Sequence, residues 1–96
     1  MNEFNINKDD DASQLLQQGY DLQMAGKVDE AIELYLRSIA AHPTAEAHTC
    51  LGWAYSVKGQ YGDAIRECEK AVRIDPDYGN PYNDIGAYLI ETGRWE

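Results

Sequence analysis

The sequence predicts an all-α chain of antiparallel helix hairpins stacked side by side. Three observations carry that expectation. Gly19, Gly52 and Gly86 stand 33 and 34 residues apart, and Gly26, Gly59 and Gly93 each follow seven residues later. Apolar residues between these glycines recur at three- and four-residue spacing, the period of one helical face. Ala31 and Ala64 each lie twelve residues after the first glycine of their unit, and Pro43 and Pro76 lie twelve residues after those alanines. No segment sustains a period-two alternation, so no strands are expected.

The repeat divides the chain into units 12–44, 45–78 and 79–96, preceded by a polar acidic tail at 1–11 that is expected to be disordered. In the first unit Leu15, Leu16, Gly19, Tyr20 and Leu22 form a helical face. Gly26-Lys27 breaks that helix, because glycine takes the positive φ of a helix C-terminus without strain. Ala31, Ile32, Leu34, Tyr35 and Ile39 resume the helical period, and Pro43 stops it, since the residue before a proline avoids the α region. The second unit repeats the scheme with Leu51, Gly52, Ala54 and Tyr55, then Gly59-Gln60, then Ala64, Ile65, Cys68, Ala71, Val72 and Ile74, then Asp75-Pro76. The third holds one helix and the start of a turn. Mid-helix glycine costs about 1 kcal/mol relative to alanine. That cost is sensible where a facing helix must come close, and Ala31 and Ala64 are the expected facing residues.

These residues resemble the tetratricopeptide repeat, whose pattern is W-x2-L-G-x2-Y, then A-x3-F, then P, at a period of about 34 residues. The second unit reads His48-x2-Leu51-Gly52-x2-Tyr55, Ala64-x3-Cys68 and Pro76. The first reads Leu15-x2-Gln18-Gly19-x2-Leu22, Ala31-x3-Tyr35 and Pro43, and the third reads Tyr82-x2-Ile85-Gly86-x2-Leu89. The resemblance covers residues 12–96. It departs from the pattern at Gln18 and Cys68, and the first unit is one residue short. It implies a right-handed superhelix of hairpins with a concave groove lined by the first helix of each unit. Its implied role is a non-catalytic scaffold that holds a peptide or a protein segment.

Under that register the groove residues are Ser13, Leu16, Tyr20, Gln23 and Met24, then Glu46, Thr49, Trp53, Ser56 and Val57, then Asn80, Asn83, Ala87, Ile90 and Glu91. Tyr20 and Trp53 hold equivalent places, so their rings are expected to stand near each other, either as ligand contacts or as filling between repeats. Aromatic residues are favoured anchors in binding hot spots. Asn80 and Asn83 carry amides suited to the backbone of an extended peptide. Some members of the family grip a chaperone's C-terminal carboxylate with Lys, Arg and Asn. The matching positions are Leu16, Tyr20, Cys50, Asn80 and Asp84, none of them basic, so such tails are expected not to bind.

The third unit lacks its second helix, which would cover Tyr82, Ile85, Gly86 and Leu89. Burial worth about 5–9 kcal/mol would go unrealised there. Repeat arrays need a polar outer face on their last element, and Trp95 is not polar. Self-association through Tyr82, Ile85, Leu89 and Trp95, or a fragment of a longer regulatory protein, are therefore alternative expectations.

Composition excludes other classes. Lys and Arg total 8 and Asp and Glu 17, a formal net charge of −9 at pH 7. That opposes general nucleic-acid binding and docking on anionic membrane. No apolar run reaches the roughly 20 residues of a membrane span. The N-terminus lacks the basic and apolar regions of a secretory signal. The expected setting is the cytoplasm, with Cys50 and Cys68 as reduced thiols. His42 and His48 lack the spacing of a helical metal pair, and no nucleophile sits beside a base. Neither enzyme activity, nor a cofactor, nor a metal is expected. Glu33–Arg37 and Glu69–Arg73 are spaced as supporting pairs on outer helices.

Overall fold

The computed structural model describes residues 8–93. Five helices follow in order: α1 Lys8–Met24, α2 Val28–Ala41, α3 Ala45–Val57, α4 Tyr61–Ile74 and α5 Asn80–Thr92. There are no strands among the described residues. α1 packs on α2, α3 on α4 and α5 on α4, while α2 meets α3 between hairpins. The result is an antiparallel array of two hairpins and a fifth helix.

The turns inside the hairpins are built alike. Gly26 has φ 85° and Gly59 φ 80°. The Lys27 N–H donates to the Leu22 carbonyl at 2.9 Å, and the Gly26 N–H to the Gln23 carbonyl at 2.9 Å. Gln60 donates to Tyr55 and Gly59 to Ser56, each at 2.9 Å. This paired closure satisfies the last carbonyls of each first helix and requires the left-handed backbone of glycine. Between hairpins, the hydroxyl of Thr44 accepts the Ala47 N–H at 3.0 Å and caps α3. Pro81 lies in the first turn of α5, where a missing N–H costs nothing.

The close approach anticipated at the mid-helix glycines is present. A Cβ on Gly19 would lie 2.7 Å from the Tyr35 ring and 3.3 Å from the Ala31 carbonyl oxygen. A Cβ on Gly52 would lie 2.9 Å from the Ala64 carbonyl oxygen and 3.3 Å from Cys68 Sγ. Ala31, Tyr35, Ala64 and Cys68 are all fully buried. Ala31, Tyr35, Leu51 and Ala54 centre one core cluster; Ala64, Ile65, Cys68 and Tyr88 centre the other, and Tyr55 packs against both.

Three features differ from the sequence reading. α1 starts at Lys8, four residues ahead of the tail boundary placed at Ala12. A run of aspartates is favoured in a first turn, where backbone N–H groups lack partners. The Ser38 hydroxyl also donates to the Ala12 carbonyl at 2.7 Å, tying this end of α1 to α2. Residues 1–7 lie outside the described residues. Glu33–Arg37 and Glu69–Arg73 do not pair. The ion pairs include Lys58–Asp29, Arg66–Asp63 and Lys70–Glu67, and His48 hydrogen-bonds to Glu67.

The face expected to be bare on the third unit is bare only in part. Ile85 and Leu89 pack against the Ala64–Cys68 cluster of α4. Tyr82 is 48% exposed, and its hydroxyl donates to the Pro76 carbonyl at 2.9 Å. The unrealised burial is therefore well below the expected 5–9 kcal/mol. Trp95 lies outside the described residues.

Candidate functional site

The inner helices α1, α3 and α5 frame a continuous trough. Its larger part, about 460 Å³, is lined by Tyr20, Glu46, Thr49, Cys50, Trp53, Tyr78, Asn80, Asn83, Asp84 and Tyr88. A second part, about 310 Å³, is lined by Ser13, Leu16, Gln17, Tyr20, Glu46 and Cys50. Tyr20, Glu46 and Cys50 belong to both.

The trough follows from helical register. Counted from the packing glycine of each unit, the lining positions sit six and three residues before it and one after. Those rows are Ser13, Leu16 and Tyr20; Glu46, Thr49 and Trp53; and Asn80 and Asn83. They lie away from the stripe that faces the second helix. The Tyr20 and Trp53 ring centroids are 5.8 Å apart at 44°. Tyr20 remains 42% exposed, so this pair packs and still offers aromatic surface to the trough. The Thr49 hydroxyl donates to the Ala45 carbonyl at 2.8 Å, which leaves mainly its methyl group for contact. The Asn80 amide donates to the Tyr78 hydroxyl at 3.1 Å.

Seven predicted groove residues line neither part: Met24, Val57, Ile90 and Glu91, all exposed, and Gln23, Ser56 and Ala87. Gln23 is buried and accepts the Tyr35 hydroxyl at 2.8 Å, while its Nε2 has no protein partner among the described residues. It lies four residues after Gly19, on the stripe that already faces α2. Ser56 lies four residues after Gly52, and its hydroxyl donates to the Trp53 carbonyl at 2.6 Å, outside the trough lining. Ala87 holds the place of Tyr20 and Trp53 in the third unit, but its methyl group is too short to line the cleft.

Tyr78 and Tyr88 were not read from the sequence. Tyr78 enters from the connection before α5, which helix periodicity does not register. Tyr88 is buried against Tyr61, with centroids 6.1 Å apart. Burial pushes its hydroxyl up to about 12. The larger omission lies behind the trough. His48 Nδ1 meets Glu67 Oε1 at 2.8 Å, and Lys70 Nζ meets Glu67 Oε2 at 3.0 Å. In an antiparallel pair fixed at Gly52 and Ala64, one turn before the glycine faces about one turn after the alanine. His48 and Glu67 satisfy that count, so the signal was available.

The trough's electrostatics are one-sided. Glu46 and Asp84 are its charged residues, both carboxylates. Burial raises the carboxyl of Asp84 above its ordinary value. Burial pushes the Cys50 thiol up to about 11, with Glu46 and Asp84 adding to the effect. Cys68 is pushed up to about 12, chiefly by burial, so neither free thiol is an activated nucleophile. Among the described residues, no group of three or more His, Cys, Asp and Glu is placed to hold a metal ion. Among them too, no helix is long and apolar enough to cross a membrane.

Hairpins of this size, stacked with their first helices along one trough, define an α-helical repeat array. The chain belongs to the tetratricopeptide repeat family, whose model matches residues 16–79. It is 31% identical over 86 residues to small glutamine-rich tetratricopeptide repeat-containing protein 2 of Mycosarcoma maydis, covering 88% of this chain and 24% of that protein. It is 38% identical over 76 residues to cellulose synthase operon protein C of Escherichia coli strain K12, covering 78% of this chain and 6% of that protein. The chain thus spans a quarter or less of these relatives. Among solved structures, the second repeat domain of Spaghetti (RPAP3), bound to the HSP90 peptide SRMEEVD, superposes with a TM-score of 0.84 at 27% identity. That match covers 88% of this chain and 79% of the other. MamA superposes with a TM-score of 0.83 at 28% identity, covering 88% of this chain and 50% of the other.

Proposed function

We propose that this chain is a non-catalytic protein-interaction module that holds an extended peptide segment in the trough between α1, α3 and α5. The observation that carries this is the Tyr20–Trp53 pair, which packs across two units and keeps Tyr20 partly open to the trough. Likeness to a domain bound to a peptide supports the same reading. The chemistry of that peptide differs. The five positions matching a carboxylate grip, Leu16, Tyr20, Cys50, Asn80 and Asp84, all line the trough and include no cation. SRMEEVD is expected not to bind. Micromolar binding of that peptide by calorimetry would overturn this part.

The general test is a screen of end-blocked peptides followed by calorimetry on Tyr20→Ala. Tyr20 is exposed enough that circular dichroism should show an intact fold. Affinity should fall at least tenfold, the loss typical of an aromatic anchor. Unchanged affinity would remove the trough from the account.

A second reading rests on Gly86. A Cβ there would meet nothing within 4 Å, although its counterparts Gly19 and Gly52 are crowded. A recess of about 380 Å³ beside it is lined by Glu69, Val72, Arg73, Tyr82 and Ile85. The occupant we propose for it is a helix from a second copy. Light scattering across a hundredfold concentration range tests it: a mass above one chain that Tyr82→Asp lowers supports self-association, and a constant single-chain mass refutes it.

A further inference from the structure

The walls of the trough specify a charge. Two carboxylates face it, Glu46 at the start of α3 and Asp84 on α5. Among the described residues, no lysine or arginine lines either part of it. A neutral peptide would leave both carboxylates uncompensated, and an acidic one would be repelled. Independently of charge, the Tyr20 and Trp53 rings stand 5.8 Å apart at 44°, forming a tilted aromatic wedge on the same cleft. Aromatic faces attract a cation within about 6 Å of the ring centroid, and more strongly where water is excluded. Cys50 lines both parts of the cleft, and its thiol is raised first by burial and then by Glu46 and Asp84. The whole chain carries −9, so approach of a basic segment is assisted at long range.

We propose that the trough selects a basic peptide segment, with one lysine or arginine side chain seated against Tyr20 and Trp53 and neutralised by Glu46 and Asp84. This rests on the proposed peptide-binding role and names the partner's chemistry. Asn83, on the same wall of α5, offers its amide to the peptide backbone.

The test is a set of random end-blocked decapeptides, sorted by net charge, presented to the full chain. The tightest binders are then measured by calorimetry at two salt concentrations. The expected binders carry Lys or Arg and weaken as salt rises. Asp84→Asn should weaken them about tenfold and the more exposed Glu46→Gln about threefold. Glu30→Gln and Glu33→Gln, exposed on the outer helix α2, should leave affinity unchanged. If neutral or acidic peptides bind as well and Tyr20→Ala abolishes that binding, the trough is a peptide site without this selectivity, and the inference falls alone. If the outer variants weaken binding as much as Asp84→Asn, the attraction is diffuse and the seat does not exist. If no peptide of any charge binds in a Tyr20-dependent way, both readings fall together.

Discussion

Gly52 and Gly86 occupy the same place in successive units, yet their surroundings are opposite. Around Gly52 the α4 backbone closes in: an added Cβ would stand 2.9 Å from a carbonyl oxygen, which cannot swing away as a side chain can. Around Gly86 there is open space. One residue type in one register thus marks a contact made in the α3–α4 hairpin and a contact unmade at α5. A repeat pattern records which faces are built to be covered; only the structure shows which are covered.

The largest expected effect separates these two positions. Gly52→Ala should destabilise the chain by about 1–3 kcal/mol, as overpacking does in a tight core. Gly86→Ala should be neutral or stabilise by up to about 1 kcal/mol, because alanine favours the helix and nothing obstructs it. Urea unfolding of both variants measures the difference. Equal losses would mean that Gly86 is covered in solution, which would favour self-association over an open end.

How much of this was legible follows from the same glycines. Their spacing fixed the number of helices, the turns at Gly26 and Gly59, and the small-residue contacts at Ala31 and Ala64. Eight trough residues, Ser13, Leu16, Tyr20, Glu46, Thr49, Trp53, Asn80 and Asn83, followed from the helical register. Gln23 and Ser56 were misplaced for one reason. Four residues beyond a packing glycine is the same stripe, so those side chains belong to the interior or the seam. Tyr78 was out of reach because connections have no period to read. His48 and Glu67 were within reach but require the antiparallel count across a hairpin, not the pattern along one helix.

The next effect concerns that buried pair. Burial raises the Glu67 carboxyl, but the hydrogen bonds from His48 and Lys70 outweigh it, and the net shift is downward. A carboxyl lowered on folding stabilises the fold above its unfolded value. That contribution is lost as pH falls through the folded value. The α3–α4 hairpin should therefore weaken on acidification through and below the ordinary value of 4.5. Glu67→Gln should destabilise at neutral pH by about 1–2 kcal/mol, by removing charge-assisted bonds at a buried site. It should also flatten the acid limb of the stability profile. Thermal unfolding from pH 7 to pH 3 checks both, and an unchanged acid limb would place the titration elsewhere.

Asp84 on α5 runs the other way, and this is the smallest effect and the most informative. Burial raises its carboxyl above its ordinary value. A carboxyl raised on folding opposes the fold while ionised, and that opposition is relieved as pH falls through the raised folded value. Asp84→Asn should accordingly raise the melting temperature slightly at pH 7, while Glu67→Gln lowers it. The paired measurement sharpens the contrast between the two regions: one carboxylate holds a hairpin together, and the other is held in the trough at some expense to stability. A charge that opposes folding and lines a cleft is the arrangement expected where a ligand supplies the missing partner. If Asp84→Asn instead destabilises the free chain, its carboxylate is a structural group, and the case for a cationic occupant would rest on Glu46 and the aromatic pair alone.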